Sequence, residues 1–113
     1  MTYCSTYIGD LDHPEFKWEG GDWSGNIPPR LGPVFPPGPK HFHATFDAWV
    51  GQTGVINKQT DFDGWVARVT KPQLLEFIAF CYGEEVTEAV QTMIAFVNKL
   101  DETKEYGLVS ECY

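Results

Sequence analysis

Proline placement constrains this chain more than any other feature. Seven of its eight prolines (Pro14, Pro28, Pro29, Pro33, Pro36, Pro37 and Pro39) precede residue 41, interspersed with Gly9, Gly20, Gly21, Gly25, Gly32 and Gly38. Proline fixes φ and has no amide proton, so residues 27–40 are barred from regular helix and from the interior of a sheet. Residues 1–40 therefore read as a long loop-rich Pro/Gly segment. Leu31, Val34 and Phe35 are its expected anchors onto the body, and the Thr/Tyr/Ile content of residues 2–8 fits a short strand. Loops of this length inside a compact domain tend to carry function.

Beyond residue 40 the patterning becomes regular. Residues 41–69 read as strands. Phe42, Ala44, Phe46 and Ala48 alternate with His41, His43, Thr45 and Asp47, and Trp65, Ala67 and Val69 alternate with Val66 and Arg68. Gly51–Gly54 and Asp61–Gly64 are the turns between these runs. Residues 70–100 read as a helical pair. Thr70-Lys-Pro-Gln73 has the form of a capping box with proline in the first turn, and Gly83 stops the first helix. The second is expected from about Glu84 to Leu100, with Val86, Ala89, Val90, Met93, Ile94, Val97 and Leu100 at helical spacing and Glu84 and Glu85 at its positive end. Residues 105–110 read as a closing strand. The expected fold is α+β over residues 1–113 as one domain, a small mostly antiparallel sheet packed against a C-terminal pair of helices.

Charge narrows the function classes. Eight Lys/Arg against sixteen Asp/Glu give a net charge of −8 over 113 residues, and the cations are scattered singly. Nucleic-acid backbones and anionic membrane surfaces demand clustered cations, so neither is expected as a direct partner. A basic protein surface fits better, because an acidic one attracts and steers it. Cys4, Cys81 and Cys112 are odd in number with no CxxC spacing, which suggests reduced thiols. Cys81 sits in a helical apolar pattern as a small buried residue, and Cys4 and Cys112 can meet only if the first and last strands are neighbours. Residues 1–8 lack a basic start and an apolar run, and the longest near-apolar stretch, Leu74–Tyr82, is nine residues interrupted by Glu76. A membrane span needs about 20. A cytoplasmic protein is the expectation.

Few motifs carry chemistry. On a strand, His41 and His43 would share a face and could supply two metal ligands, with His13, Asp47, Cys4 or Cys112 to complete the set. A polar strand face produces the same pattern without a metal. His43-Ala-Thr45 is a single H-x-T, where phosphodiesterases using that element need two copies. Asp61-Phe-Asp63-Gly64 resembles the start of a calcium loop, but the twelfth position is Pro72, which has no carboxylate. Gly20–Gly25 has glycines without the lysine of a phosphate loop. No cofactor is expected.

The most informative stretch is 10–23. Asp10, Asp12, Glu15, Glu19 and Asp22 surround a single Lys17 and alternate with Phe16, Trp18 and Trp23. Tryptophan is a favoured interface anchor and carboxylates complement Arg/Lys, so Asp10, Asp12, Glu15, Trp18, Glu19, Asp22 and Trp23 form the candidate partner-binding set. The bland reading packs the tryptophans on the sheet and leaves the acids in water. The expected function is a small acidic protein-binding inhibitor, such as a toxin-neutralising immunity protein or a phage-type anti-defence protein, that occludes a basic toxin or defence enzyme. The alternative is a small metal- or ligand-binding enzyme using His41 and His43. A third reading has the proline arm docking on a second copy.

Overall fold

The last strand of the chain lies inside the sheet, not at its rim. The structure, a computed structural model, describes residues 4–18, 27–36, 42–61, 64–84 and 86–112. In chain order the elements are β1 (Cys4–Gly9), α1 (Phe42–Thr53), β2 (Asn57–Asp61), β3 (Gly64–Thr70), α2 (Lys71–Tyr82), α3 (Glu88–Asn98) and β4 (Glu105–Cys112). The four strands run in the order β1-β4-β3-β2, every neighbouring pair antiparallel. This is the α+β arrangement expected from the sequence.

Strand alternation sorts residues onto two faces. Ile8, Leu108 and Ala67 lie in register across β1, β4 and β3, with Tyr106 opposite Val69 on the same face. They join Phe46 and Trp49 of α1, Leu74, Phe77 and Ile78 of α2, and Val90, Met93 and Val97 of α3 in one apolar core. Trp49 and Phe35 both pack on the Phe77 ring, at centroid distances of 5.2 and 5.5 Å. The opposite face carries Gly9, Gly107, Val66 and Val109, and both valines are fully buried. No described helix lies on that side, and described residues of the N-terminal segment cover it. A Cβ built on Gly107 would come within about 3 Å of Val66, Leu11 and Pro28.

The proline-bearing segment also flanks β1. The Leu31 and Phe35 amides donate to the Ile8 and Thr6 carbonyls, both at 2.8 Å, and Asp10 donates to the Pro29 carbonyl at 2.9 Å. Donors four residues apart do not make a strand ladder, whose spacing is two, as expected where prolines interrupt the chain. Phe35 anchors the segment as expected and Leu31 is half-buried against the core, but Val34 is exposed.

Two expectations need correction. Residues 42–53 form a helix, not a strand, so the sheet packs against three helices. Phe42, Phe46, Trp49 and Val50 obey the helical i, i+4, i+7, i+8 spacing as well as the alternation seen earlier. Burial of Thr45, Phe46 and Trp49 with exposure of Asp47 and Ala48 is the helical outcome. α3 begins at Glu88, later than expected, because the Thr87 hydroxyl accepts from the Val90 amide at 3.3 Å and caps the helix there. Glu84 is thus left outside it. α2 follows its sequence signals: the Thr70 amide donates to Gln73 Oε1 at 2.9 Å, and Gly83, at φ 60°, donates to the Ala79 carbonyl. Cys81 is buried, as expected.

Glycine contacts give a paired prediction. A Cβ at Gly9 would lie 2.6 Å from Pro28 Cβ, whereas one at Gly51 in α1 would meet nothing. Gly9→Ala should destabilise by about 1–3 kcal/mol through overpacking. Gly51→Ala should stabilise by roughly 0.5–1 kcal/mol through helix propensity and a less flexible unfolded chain. Urea denaturation of both variants beside the parent checks the opposite signs.

Candidate interaction surface

The described part of the acidic-aromatic stretch, residues 10–18, lies on the face of the sheet that no described helix covers. Phe16 is buried and meets Trp18 edge-on at 6.5 Å between centroids. Trp18 is half-buried over two cations of that face, 5.3 Å from the Arg68 guanidinium and 5.9 Å from Lys58 Nζ. Lys58 also donates to the Trp18 carbonyl. The indole therefore shields the two cations and fixes the segment on the sheet. Glu19, Asp22 and Trp23 lie outside the described residues.

The acids before Trp18 are held by local turns. Asp10 accepts from the Asp12 amide at 3.0 Å, an Asx turn that places Asp12 at the surface. Asp12 Oδ2 pairs with Lys104 Nζ at 3.0 Å, and this contact holds the lysine pKa above its ordinary value. Glu15 is exposed. Other cations are engaged within the fold as well: Arg68 meets Glu105 at 3.1 Å, and Lys71 meets Glu102 at 3.6 Å and the Asn98 carbonyl at 2.8 Å. Exposed ion pairs add little stability. Their effect here is on which charge faces outward.

Sequence reasoning missed a seam between α3 and the proline segment. Glu88, Thr92, Phe96 and Leu100 recur every four residues along one stripe at α3 and its C-terminal end, facing residues 31–36. Gly32 sits against the Phe96 ring and divides the seam, since a Cβ there would lie 2.5 Å from the ring. Above this contact is an open groove of about 590 Å³ between Pro33, Val34 and Pro36 on one wall and Thr87, Glu88 and Ala89 on the other. Below it is a cavity of about 300 Å³ lined by Asp10, Leu31, Phe96, Leu100, Lys104 and Tyr106. Val34, in the groove wall, and Val86, the residue before Thr87 in the chain, are large apolar side chains left exposed. The sequence held one hint: Val34 stands between two prolines and beside a buried Phe35, where only one of two adjacent extended residues can face inward.

Tyr82, at the end of α2, supports the upper wall. Its hydroxyl donates to the Pro36 carbonyl, and burial, followed by neighbouring Cys81, pushes its pKa well above the ordinary tyrosine value.

The histidine pair loses its geometric premise. His43 lies in the first turn of α1 and not on a strand, and His41 is outside the described residues. The strand alternation that would set the two imidazoles on one face is absent at His43. Among the described residues no group of three or more His, Cys, Asp or Glu is placed to hold a metal ion. Nor is any described helix long and apolar enough to cross a membrane. Comparison with protein-family models, characterised proteins and solved structures gave no match.

Tyr82 generates a pH prediction. A raised folded-state pKa means its contribution to stability is complete below the unfolded value of about 10 and is lost as pH rises toward the folded value. Alkaline titration followed at the tyrosinate absorbance should leave one tyrosine protonated after exposed ones have ionised. Tyr82→Phe should abolish that late step and cost about 1 kcal/mol in denaturant unfolding.

Proposed function

We propose that this protein is a small acidic binding protein that inhibits a basic protein partner by covering its surface in the cytoplasm. The reading rests on one observation: the α3–proline seam is a pair of apolar depressions bordered by Glu88 at one end and Asp10 at the other. A segment of alternating aliphatic and Lys/Arg residues suits it. Its aliphatic side chains would fill the groove beside Val34, and its cations would meet Glu88, Asp10, Asp12 and Glu15. Trp18 then contributes by pinning the acidic turn to the sheet, with Glu19, Asp22 and Trp23 continuing the same charged stretch.

Supporting features are the net charge of −8 and the engagement of Lys58, Arg68, Lys71 and Lys104 with groups of the same chain. A toxin or defence enzyme that handles nucleic acid carries the complementary positive surface. Inhibition by occlusion requires no catalytic group, only a complementary contact that blocks access.

Calorimetric titration against a panel of purified basic nucleases and translation-targeting toxins tests this. A true partner should bind more weakly as salt is raised. Val34→Asp and the double variant Asp12→Lys, Glu15→Lys should each weaken binding by roughly tenfold or more, the first mainly through off-rate and the second through on-rate. Unchanged affinity in both would remove the proposed surface.

A further inference from the structure

The first and last strands bring two cysteines into direct register. β1 and β4 pair antiparallel with Cys4 opposite Cys112 and, on the next rung of the same face, Thr6 opposite Ser110. By alternation these positions belong to the helix-covered face with Ile8 and Leu108. Directly opposed residues of an antiparallel pair have Cα atoms about 4.5 or 5.5 Å apart, depending on the rung, and both separations fall within the span a disulfide bridges. The two residues are 108 positions apart in sequence, so only the fold aligns them.

The neighbouring rung adds a second observation. The Thr6 and Ser110 hydroxyls are fully buried with no hydrogen-bond partner among the described residues. Buried hydroxyls are normally satisfied, so two unused donors on the rung next to the cysteine positions are unusual. Donors next to a thiolate favour its charged, reactive form. The third cysteine, Cys81, is buried in α2 within the apolar core.

We propose that Cys4 and Cys112 form a reversible cross-strand disulfide that clasps the two terminal strands, with Cys81 left as a thiol. The oxidant is a small-molecule disulfide such as oxidised glutathione. One cysteine thiolate attacks a sulfur of that disulfide, breaking its S–S bond and expelling one thiolate, which takes up a proton. The second cysteine thiolate attacks the mixed disulfide at the protein sulfur and expels the other thiolate. The balance is one protein dithiol and one small disulfide converted to one protein disulfide and two small thiols. Closing a loop that spans nearly the whole chain restricts the unfolded ensemble strongly, so the oxidised form should unfold at a higher temperature.

The test equilibrates the native full chain across a series of oxidised-to-reduced glutathione ratios, then alkylates it in denaturant for intact-mass and peptide analysis. The expected result is a species with one alkylated cysteine and a peptide pair linking Cys4 to Cys112. Its Tm should exceed that of the reduced chain by about 10 °C. Cys4→Ser and Cys112→Ser should each abolish the link while keeping the far-ultraviolet circular dichroism of the reduced parent. Three alkylated cysteines at every ratio, a link through Cys81, or glutathione held on one cysteine without an internal bridge would overturn the proposal.

Discussion

The pairing of β4 with β1 on one side and β3 on the other is the constraint on which the rest depends. It sets Ile8, Leu108 and Ala67 side by side beneath the helices and leaves Val109 beside Val66 on the reverse. A slip of one residue would turn Leu108 toward Pro28 and offer Gly107 to the core. The helices hold that register because their buried stripes meet only one of its two faces. The backbone contacts from Leu31 and Phe35 repeat the constraint along the outer side of β1.

The two coverings of the sheet differ in kind. Three amphipathic helices bury aliphatic and aromatic groups continuously on one side. On the other, a segment without regular structure does so at a few points, through Leu11, Phe16, Trp18 and Pro28. Because Trp18 rests on Arg68 and Lys58, positive charge is turned under the segment and the nearby carboxylates stay at its outer side. Packing and electrostatics thus act together: the same indole that shields part of the sheet also sets the sign of that surface.

Much of this was legible in the sequence. β3, α2 and β4 declare themselves, since Trp65–Val69 alternates, Thr70–Gln73 caps and Gly83 stops. α1 was not legible as a helix, because Phe42–Ala48 satisfies a period of two as well as one of 3.6 and only the packing of Phe46 and Trp49 decides between them. Charge alone does not mark the start of α3, because Glu84 and Glu85 carry a helix-start charge pattern while Thr87 supplies the actual cap. The acidic stretch was visible as charge, but the seam beside it was not. That seam joins residues 31–36 to α3, and no local pattern encodes a contact between segments so distant in sequence.

The flanks of the sheet limit how another molecule can engage it. Along β1, carbonyls are already taken up by Leu31 and Phe35, while Pro28, Pro29, Pro33 and Pro36 present no amide donors of their own. At the opposite rim, β2 reads Asn-Lys-Gln-Thr-Asp, without one apolar side chain to reward an incoming strand. Extension of the sheet by a foreign β-segment is disfavoured at both rims. Self-templated growth into fibres meets the same two obstacles.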